Sequence, residues 1–254
     1  MPIDLNGNIV SSTSITGSTF SNSIVTDGLI MYIDAADKDS YIGSGTTLTD
    51  LSPSANNLTT FNSPTFSSTN DGMFTLNGSN QYIYKSSVNT PPTTQLSMEV
   101  MARFADNGSG VGGRYVMSMG RDIGTNGGLA LIAYGFSSAN SGQLIFEFGS
   151  GFGRVSSGIV PSTNTWYHIV VTGDGTYTKF YLNGNLTARS SQSTGAVAST
   201  PGISIGSYLS AATPPAASLA WHNGDIGFVR IYNRALNSAE ILANYYGQKS
   251  RFGL

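Results

Sequence analysis

Apolar positions in this chain recur mostly at intervals of two, and the clearest run lies between Trp166 and Asn185, WYHIVVTGDGTYTKFYLNGN. Trp166 to Val171 are aromatic and β-branched residues, which favour a pleated, partly buried strand. Thr172-Gly173-Asp174-Gly175 reverses it, because glycine takes positive φ and aspartate bonds to its own backbone. Thr178 to Leu182 alternates again, and Asn183-Gly184 predicts a type I′ hairpin turn into a third strand, which completes a β-meander. Leu29 to Ile33 is nearly continuous in apolar residues and predicts a strand buried on both faces. From Leu96 to Phe104 the even-numbered Leu96, Met98, Val100, Ala102 and Phe104 are assigned to the core, with Glu99, Met101 and Arg103 on the other side. Gly72 to Tyr84 reads as two strands around a polar turn, and more strands are predicted over 115–119, 129–134, 143–148, 201–207 and the closing run from Gly224. Residues 44–70 read as loop-rich, with Pro53 and Pro64 and little periodicity. One helix is predicted from Ser238 to Tyr246, capped by Asn237 or Ser238, with residues 248–254 left as a short tail.

Composition agrees with an all-β class. Charged residues are 10% of the 254 and glycine numbers 31, which suits short strands and polar turns better than helices. The formal net charge is −2 and the basic residues are scattered, so no footprint for nucleic acid or an anionic membrane is present. Cysteine is absent, which removes disulfides and thiolate chemistry. The N-terminus has neither the basic lead nor the apolar run of a signal peptide, and no stretch approaches the roughly 18 apolar residues of a membrane span.

Residues 1–26 stand apart. Ser, Thr and Asn there alternate with isolated apolar residues, among them Ile9, Val10, Ile15, Phe20 and Ile24. A leader without fixed structure is the plain reading. The interleaving favours an assembly anchor that orders against a neighbouring subunit as an added strand, leaving residues 27–254 as the folded domain.

Candidate chemistry is sparse. Asp34, Asp37 and Asp39 put three carboxylates within six residues and invite a calcium reading, yet the spacing lacks the glycine-containing loop and terminal glutamate of an EF-hand. A solvated loop ordered by Asp34 is the alternative. Glu99 is a candidate catalytic acid, but its same-face neighbours two residues away are Ser97 and Met101, so no local pair of acids exists, and only two acids brought together from distant strands could supply one. His168 is read as a packed core histidine, with no second histidine or cysteine at metal-ligand spacing. Trp221-His222-Asn223 offers an aromatic and amides that could stack on and bond to a sugar, with Arg121 and Asn126 of a glycine-rich loop completing the candidate ligand set; a Trp221 that caps the core is the competing reading.

Trp166, His168, Tyr181, Asn183 and Gly184 resemble the Trp-x-His strand and Tyr-x-Asn-Gly hairpin of laminin-G-like domains in the concanavalin A-like lectin/glucanase class. Leu76-Asn77-Gly78 with Tyr82-Ile83, and the closing run from Gly224 to Leu236, are similar to further features of that family. The segment from Gly28 to Ser52 looks like the opening of such domains in tailed-phage virion proteins, although Leu48 stands where a Trp is usual. The resemblance implies a jelly-roll sandwich of two antiparallel sheets with an N-terminal arm. It also implies a non-enzymatic virion protein, a head decoration, fibre or tail appendage assembled in the host cytoplasm. Its partners would be other virion proteins, further copies of itself and cell-surface glycan, without nucleic acid, membrane insertion or an obligatory cofactor. A free carbohydrate-binding lectin module and a glycoside hydrolase are the alternatives.

Overall fold

The computed structural model describes residues 24–89, 94–108, 113–120, 129–134, 142–148, 153–191, 202–208 and 220–254. In chain order the strands among them are β1 (Leu29–Asp34), β2 (Thr47–Leu48), β3 (Leu58–Phe61), β4 (Thr65–Ser67), β5 (Met73–Asn77), β6 (Tyr82–Lys85), β7 (Leu96–Phe104) and β8 (Arg114–Met119). They continue as β9 (Leu129–Tyr134), β10 (Ile145–Phe148), β11 (Gly153–Ser156), β12 (Trp166–Gly173), β13 (Thr178–Leu182), β14 (Asn185–Ser190), β15 (Ile203–Ile205) and β16 (Asn223–Tyr232), followed by helix α1 (Ser238–Gln248).

The strands form two sheets. The first runs β14-β13-β12-β7-β16-β5-β4, with β1 also paired to β16, and the second runs β11-β10-β9-β8-β15-β6-β3-β2. Pairing between named strands is antiparallel in both sheets. Leu96, Met98, Val100, Ala102 and Phe104 of β7 face inward as the alternation predicts, and meet Ile83, Val116, Met117, Met119, Ile203 and Ile205 of the second sheet in one core. The β12-β13-β14 meander is present, and Asn183 (φ 49°) and Gly184 (φ 78°) both take the positive φ of the predicted tight turn. Glycine is required at 184 for a second reason: a Cβ there would stand 2.8 Å from Leu242 Cδ1, because α1 lies against this turn.

Long-range packing corrects two expectations, the loop-rich 44–70 and the short tail, and shows what lies over the outer side of β7. Residues 44–70 contain strands β2, β3 and β4, too short and too rich in threonine to register as periodic. The outer side of β7 is covered: Glu99 and Met101 are both 0% exposed beneath α1 and the C-terminal segment. That segment is a clasp and no loose tail. It forms a 3-10 turn over Lys249–Phe252, with the Phe252 ring 4.6 Å from Trp166 and Arg251 paired to Asp34 at 2.8 Å. Arg251 also donates to the carbonyls of Asn70 and Gly72.

The body of the domain begins before residue 27. Ile24 and Val25 pack on the cluster of Leu29, Val170, Tyr181, Tyr232, Leu236 and Ile241, and the Val25 amide donates to Asn244 Oδ1 at 2.9 Å. Ile24, expected to anchor on a neighbour, therefore lies on its own chain. Ile9, Val10, Ile15 and Phe20 fall outside the described residues.

Helix α1 starts in a complete capping box: Asn237 Oδ1 accepts from the amides of Ala239 and Glu240, and Glu240 Oε2 accepts from the Asn237 amide. Asn237→Ala is expected to cost about 1 kcal/mol of stability in urea unfolding. A change below about 0.3 kcal/mol would mean that packing alone starts this helix.

Candidate functional site

Of the predicted ligand residues at the head of β16, Trp221 and His222 are buried and Asn223 is half-buried. Trp221 is 6% exposed and packs against Tyr82 at 5.4 Å between ring centroids. His222 is 0% exposed, edge-on to Phe104, with Nδ1 3.3 Å from the Tyr134 hydroxyl. Burial pushes the His222 imidazole down to about 4, so it is neutral near pH 7. Asn223 donates from Nδ2 to Asp106 Oδ2 at 2.6 Å, and Asp106 takes a two-pronged bond from Arg114, whose Nη1 reaches the Trp221 carbonyl at 2.7 Å. Trp221 is thus shielded by Tyr82 and Tyr84 on the outer face of the second sheet, His222 packs in the core and Asn223 ties the head of β16 to Asp106. A parallel bridge between Tyr115 and Trp221 fixes the backbone here, with Trp221 on the face of Tyr82 and Tyr84 and His222 on the opposite, core face. Arg121 and Asn126 lie outside the described residues.

The aspartates of the first loop do not converge. Asp34 accepts from the Ala36 amide and the Tyr32 hydroxyl and is paired with Arg251, while Asp37 accepts from the Asp39 amide to close its own turn. Among the described residues no group of three or more His, Cys, Asp or Glu side chains comes together around a metal-sized space. Asp50, which the sequence left without a role, orders the loop before β3: its carboxylate accepts from the amides of Tyr32, Ser52 and Asn56.

The densest polar cluster is one that no short-range pattern announced. Glu99 on β7 accepts from His168 Nε2 on β12 at 2.7 Å, Arg230 Nη1 on β16 at 3.0 Å and Asn244 Nδ2 on α1 at 2.8 Å. All four residues are 0% exposed. Burial would raise the Glu99 carboxyl, but Arg230, with His168 and Asn244 behind it, carries it below the usual carboxylate range. Arg230 in turn stacks over Phe228 at 4.1 Å and Tyr32 at 4.7 Å, which gives its remaining guanidinium surface cation–π partners. His168 therefore has the packed role expected of it. Asn244 also holds Val25 and donates to the Tyr232 hydroxyl, so the cluster ties both ends of the domain to the sheet.

On the other side of the molecule, β3 and β6 carry a strip of aromatic rings on the outer face of the second sheet. Thr59 pairs with Tyr84 and Phe61 with Tyr82, so the period-2 residues Asn57, Thr59 and Phe61 share a face with Tyr82, Tyr84 and Ser86. Phe61 stacks flat on Tyr82 at 4.8 Å, and Trp221 packs against Tyr82 in the same cluster. Asn57, Thr59, Phe61, Tyr84, Lys85 and Ser86 enclose an open groove of about 270 Å³. The signal for it was present as apolar Leu58 between exposed Asn57 and Thr59, but in a segment with too few turns of alternation to stand out.

Two antiparallel sheets closed over one core, with a covered outer face on one and an aromatic strip on the other, define a jelly-roll sandwich of lectin type. The chain belongs to the concanavalin A-like lectin/glucanases superfamily, whose laminin G model matches residues 77–242. No curated protein matches it in sequence. Among solved structures, it is similar to Trypanosoma rangeli sialidase at 15% identity and a TM-score of 0.61, covering 88% of this chain and 33% of the sialidase. It is also similar to the receptor-binding domain of botulinum neurotoxin D, at 14% identity and a TM-score of 0.62 over 88% of this chain and 53% of that one. A third is domain 4 of a GH43 extracellular arabinanase from Geobacillus stearothermophilus in complex with arabinotriose, at 14% identity and a TM-score of 0.62, covering 87% of this chain and 100% of that one. The chain spans a third of the sialidase and about half of the toxin domain, and at such identities the likeness is one of fold.

Proposed function

We propose that this chain is a non-enzymatic adhesion module of a tailed-phage virion, docked through its N-terminal arm to other virion proteins and to further copies of itself, that meets glycans on the outside of the sandwich. The observation that carries the adhesive part is the outer face of β3 and β6, where half-buried Phe61 stands beside exposed Asn57, Thr59 and Ser86. Aromatic carbon next to amide and hydroxyl groups holds polar, uncharged rings well. Sugar ligands in distant sandwiches, arabinotriose in the arabinanase domain among them, support the same class of partner.

Three ion pairs support the non-enzymatic part. Glu99 is held by Arg230, Glu147 by Arg154 and Glu240 by Arg234, whereas glycoside hydrolysis needs a carboxyl group that can give and take a proton beside the sugar. The virion setting rests on the opening segment from Gly28 to Ser52 and its likeness to tailed-phage proteins. A free carbohydrate-binding module is the second reading, favoured by the arabinanase domain that this chain covers in full.

The test is to apply the purified full-length chain to a printed glycan array and to incubate it with the glycans it retains. Retention without release of reducing sugar is expected. An array with no retained glycan removes the adhesive reading, and sustained sugar release removes the non-enzymatic one. Immunogold labelling of phage particles separates virion protein from free module, since a free module leaves the particles unlabelled.

A further inference from the structure

We infer that the outer face of β2, β3 and β6 is one track that binds the interior of a linear, uncharged polysaccharide. This rests on the adhesive reading above and adds the place, the charge and the form of the ligand. The strand register sets two grooves side by side. Thr47 of β2 pairs with Thr59 of β3, and Thr59 with Tyr84 of β6. Cross-strand partners project from the same face, and Leu48 and Leu58, which alternate with the threonines, lie in the core, so Thr47, Thr59 and Tyr84 form one outward row. Thr59 and Tyr84 line the groove already described, and Thr47 lines a second one of about 320 Å³ between β2 and the loop before it. With strands about 4.8 Å apart the row spans roughly 10 Å, which carries a chain of rings from one groove into the other.

The second groove repeats the chemistry of the first. Ile42, 74% exposed, offers carbon surface as Phe61 does, and Ser44, Thr46 and Thr49 offer hydroxyls as Thr59 and Ser86 do. Both grooves are built before a ligand arrives. The Tyr41 hydroxyl donates to the Gly45 carbonyl at 3.0 Å and the Thr49 amide to the Ser40 carbonyl at 2.8 Å, which hold the loop of the second groove, while Phe61 is held by its flat stack on Tyr82. Asn57 stands where the two meet: its Oδ1 accepts from the amide of Asp50, next to Thr49, at 3.0 Å, which leaves the Nδ2 donors for a ligand. Among the described residues no cationic side chain faces the track. Lys85 borders the first groove, but it pairs with Ile203 and alternates with Tyr84 and Ser86, so its side chain leaves by the opposite face of β6. Asp39 lines the second groove, where its carboxylate accepts from sugar hydroxyls and repels an anionic chain. Each groove alone lies at the small end of ligand pockets, which run from about 300 to 1,000 Å³, and both are open clefts, so a chain enters and leaves without burying its end.

The experiment titrates the intact chain with arabino- and gluco-oligosaccharides from monomer to hexamer and with oligogalacturonates of matched length, following line broadening of the sugar by NMR. A neutral series is expected to bind, its tetramer at least about tenfold tighter than its monomer, because a chain held in one groove is held over the other. Galacturonates are expected to bind at least about tenfold more weakly at each length, and reduction of the neutral chain's end to change nothing. Ile42→Ala and Thr47→Arg, both at exposed positions, are expected to remove the gain with length and leave monomer binding as it was, whereas Phe61→Ala removes binding at every length. Lys179→Gln, on the other sheet, serves as the control and leaves binding unchanged. Thermal melts of each variant confirm folding, and Asn57→Ala replaces Phe61→Ala if the latter melts early. A tetramer no tighter than its monomer, a loss on reducing the chain end, a preference for galacturonate, or a wild-type gain with length in both Ile42→Ala and Thr47→Arg overturns the inference while the adhesive reading stands. If neither neutral series binds and the array retains other glycans, this inference falls alone; if the array is also blank, both fall.

Discussion

Glu99→Ala is expected to destabilise the domain by about 3 to 5 kcal/mol, enough to take a large share of the stability of an ordinary domain. The size follows from what is left behind. Arg230 is 0% exposed and Glu99 is its ion-pair partner, so removing the carboxylate leaves a buried guanidinium with aromatic faces and no counter-charge. His168 and Asn244 lose their acceptor in the same step, and Asn244 is the group that fastens Val25 and the helix to the sheet. Glu99→Gln keeps the shape and some hydrogen bonds yet still strands the charge, so it falls between wild type and alanine. The double variant Glu99→Met, Arg230→Met removes both charges together and is expected to recover much of the loss, because a buried pair contributes little beyond the cost of dehydrating it. Urea denaturation of the four proteins measures all of this. A loss below about 1 kcal/mol in Glu99→Ala would mean that water reaches Arg230 and that the cluster is not closed.

This cluster also marks the limit of what the sequence alone conveys. Strands whose partners are close in the chain were legible: the meander from Trp166 needs only alternation and two turns, and both the hairpin at Asn183-Gly184 and the helix cap at Asn237 are written in three or four residues. The inward row of β7 was legible for the same reason. Its outward row was not. Alternation says that Glu99 and Met101 oppose the core but cannot say that residues 145 positions onward will roof them over. The roof depends on Asn244 and Phe252, neither of which belongs to a strongly apolar run.

The chemistry of a single side chain does not say whether it reaches solvent. Trp221 and His222 have sugar-binding side chains, but Trp221 is covered by Tyr82 and Tyr84 and His222 is buried against Phe104. The aromatic surface that does reach the outside comes from Phe61, in a stretch where Pro53 and Pro64 on either side hid a four-residue strand.

Acid is expected to weaken this protein before its carboxylates begin to protonate, and His222 is the reason. Its imidazole titrates at about 4 in the fold against the ordinary 6.5 of an exposed histidine, because burial disfavours the charged form. Nδ1 already faces the Tyr134 hydroxyl, which accepts from the Asn223 amide and so has its own proton to give. Among the described residues Nε2 meets no well-aligned acceptor, and burial outweighs the nearby Asp225 and Asp106 carboxylates that favour the charged ring. The unfolded chain therefore binds more protons than the folded one throughout the window from pH 6.5 down to 4. Stability is full above that window and falls with pH inside it, by at most about 1.4 kcal/mol per unit and roughly 3 kcal/mol in total. Glu99, Asp106, Asp174 and Glu240, whose carboxyls are all held below their usual range, add their own losses only at lower pH. His222→Gln isolates the histidine: it is expected to cost stability at pH 7.5, where the packed ring is lost, and to lose about 2 to 3 kcal/mol less than wild type on going from pH 7.5 to 4.5. Urea midpoints at the two pH values for both proteins give the comparison. Parallel losses would mean that the His222 ring is reached by water and titrates like an exposed one.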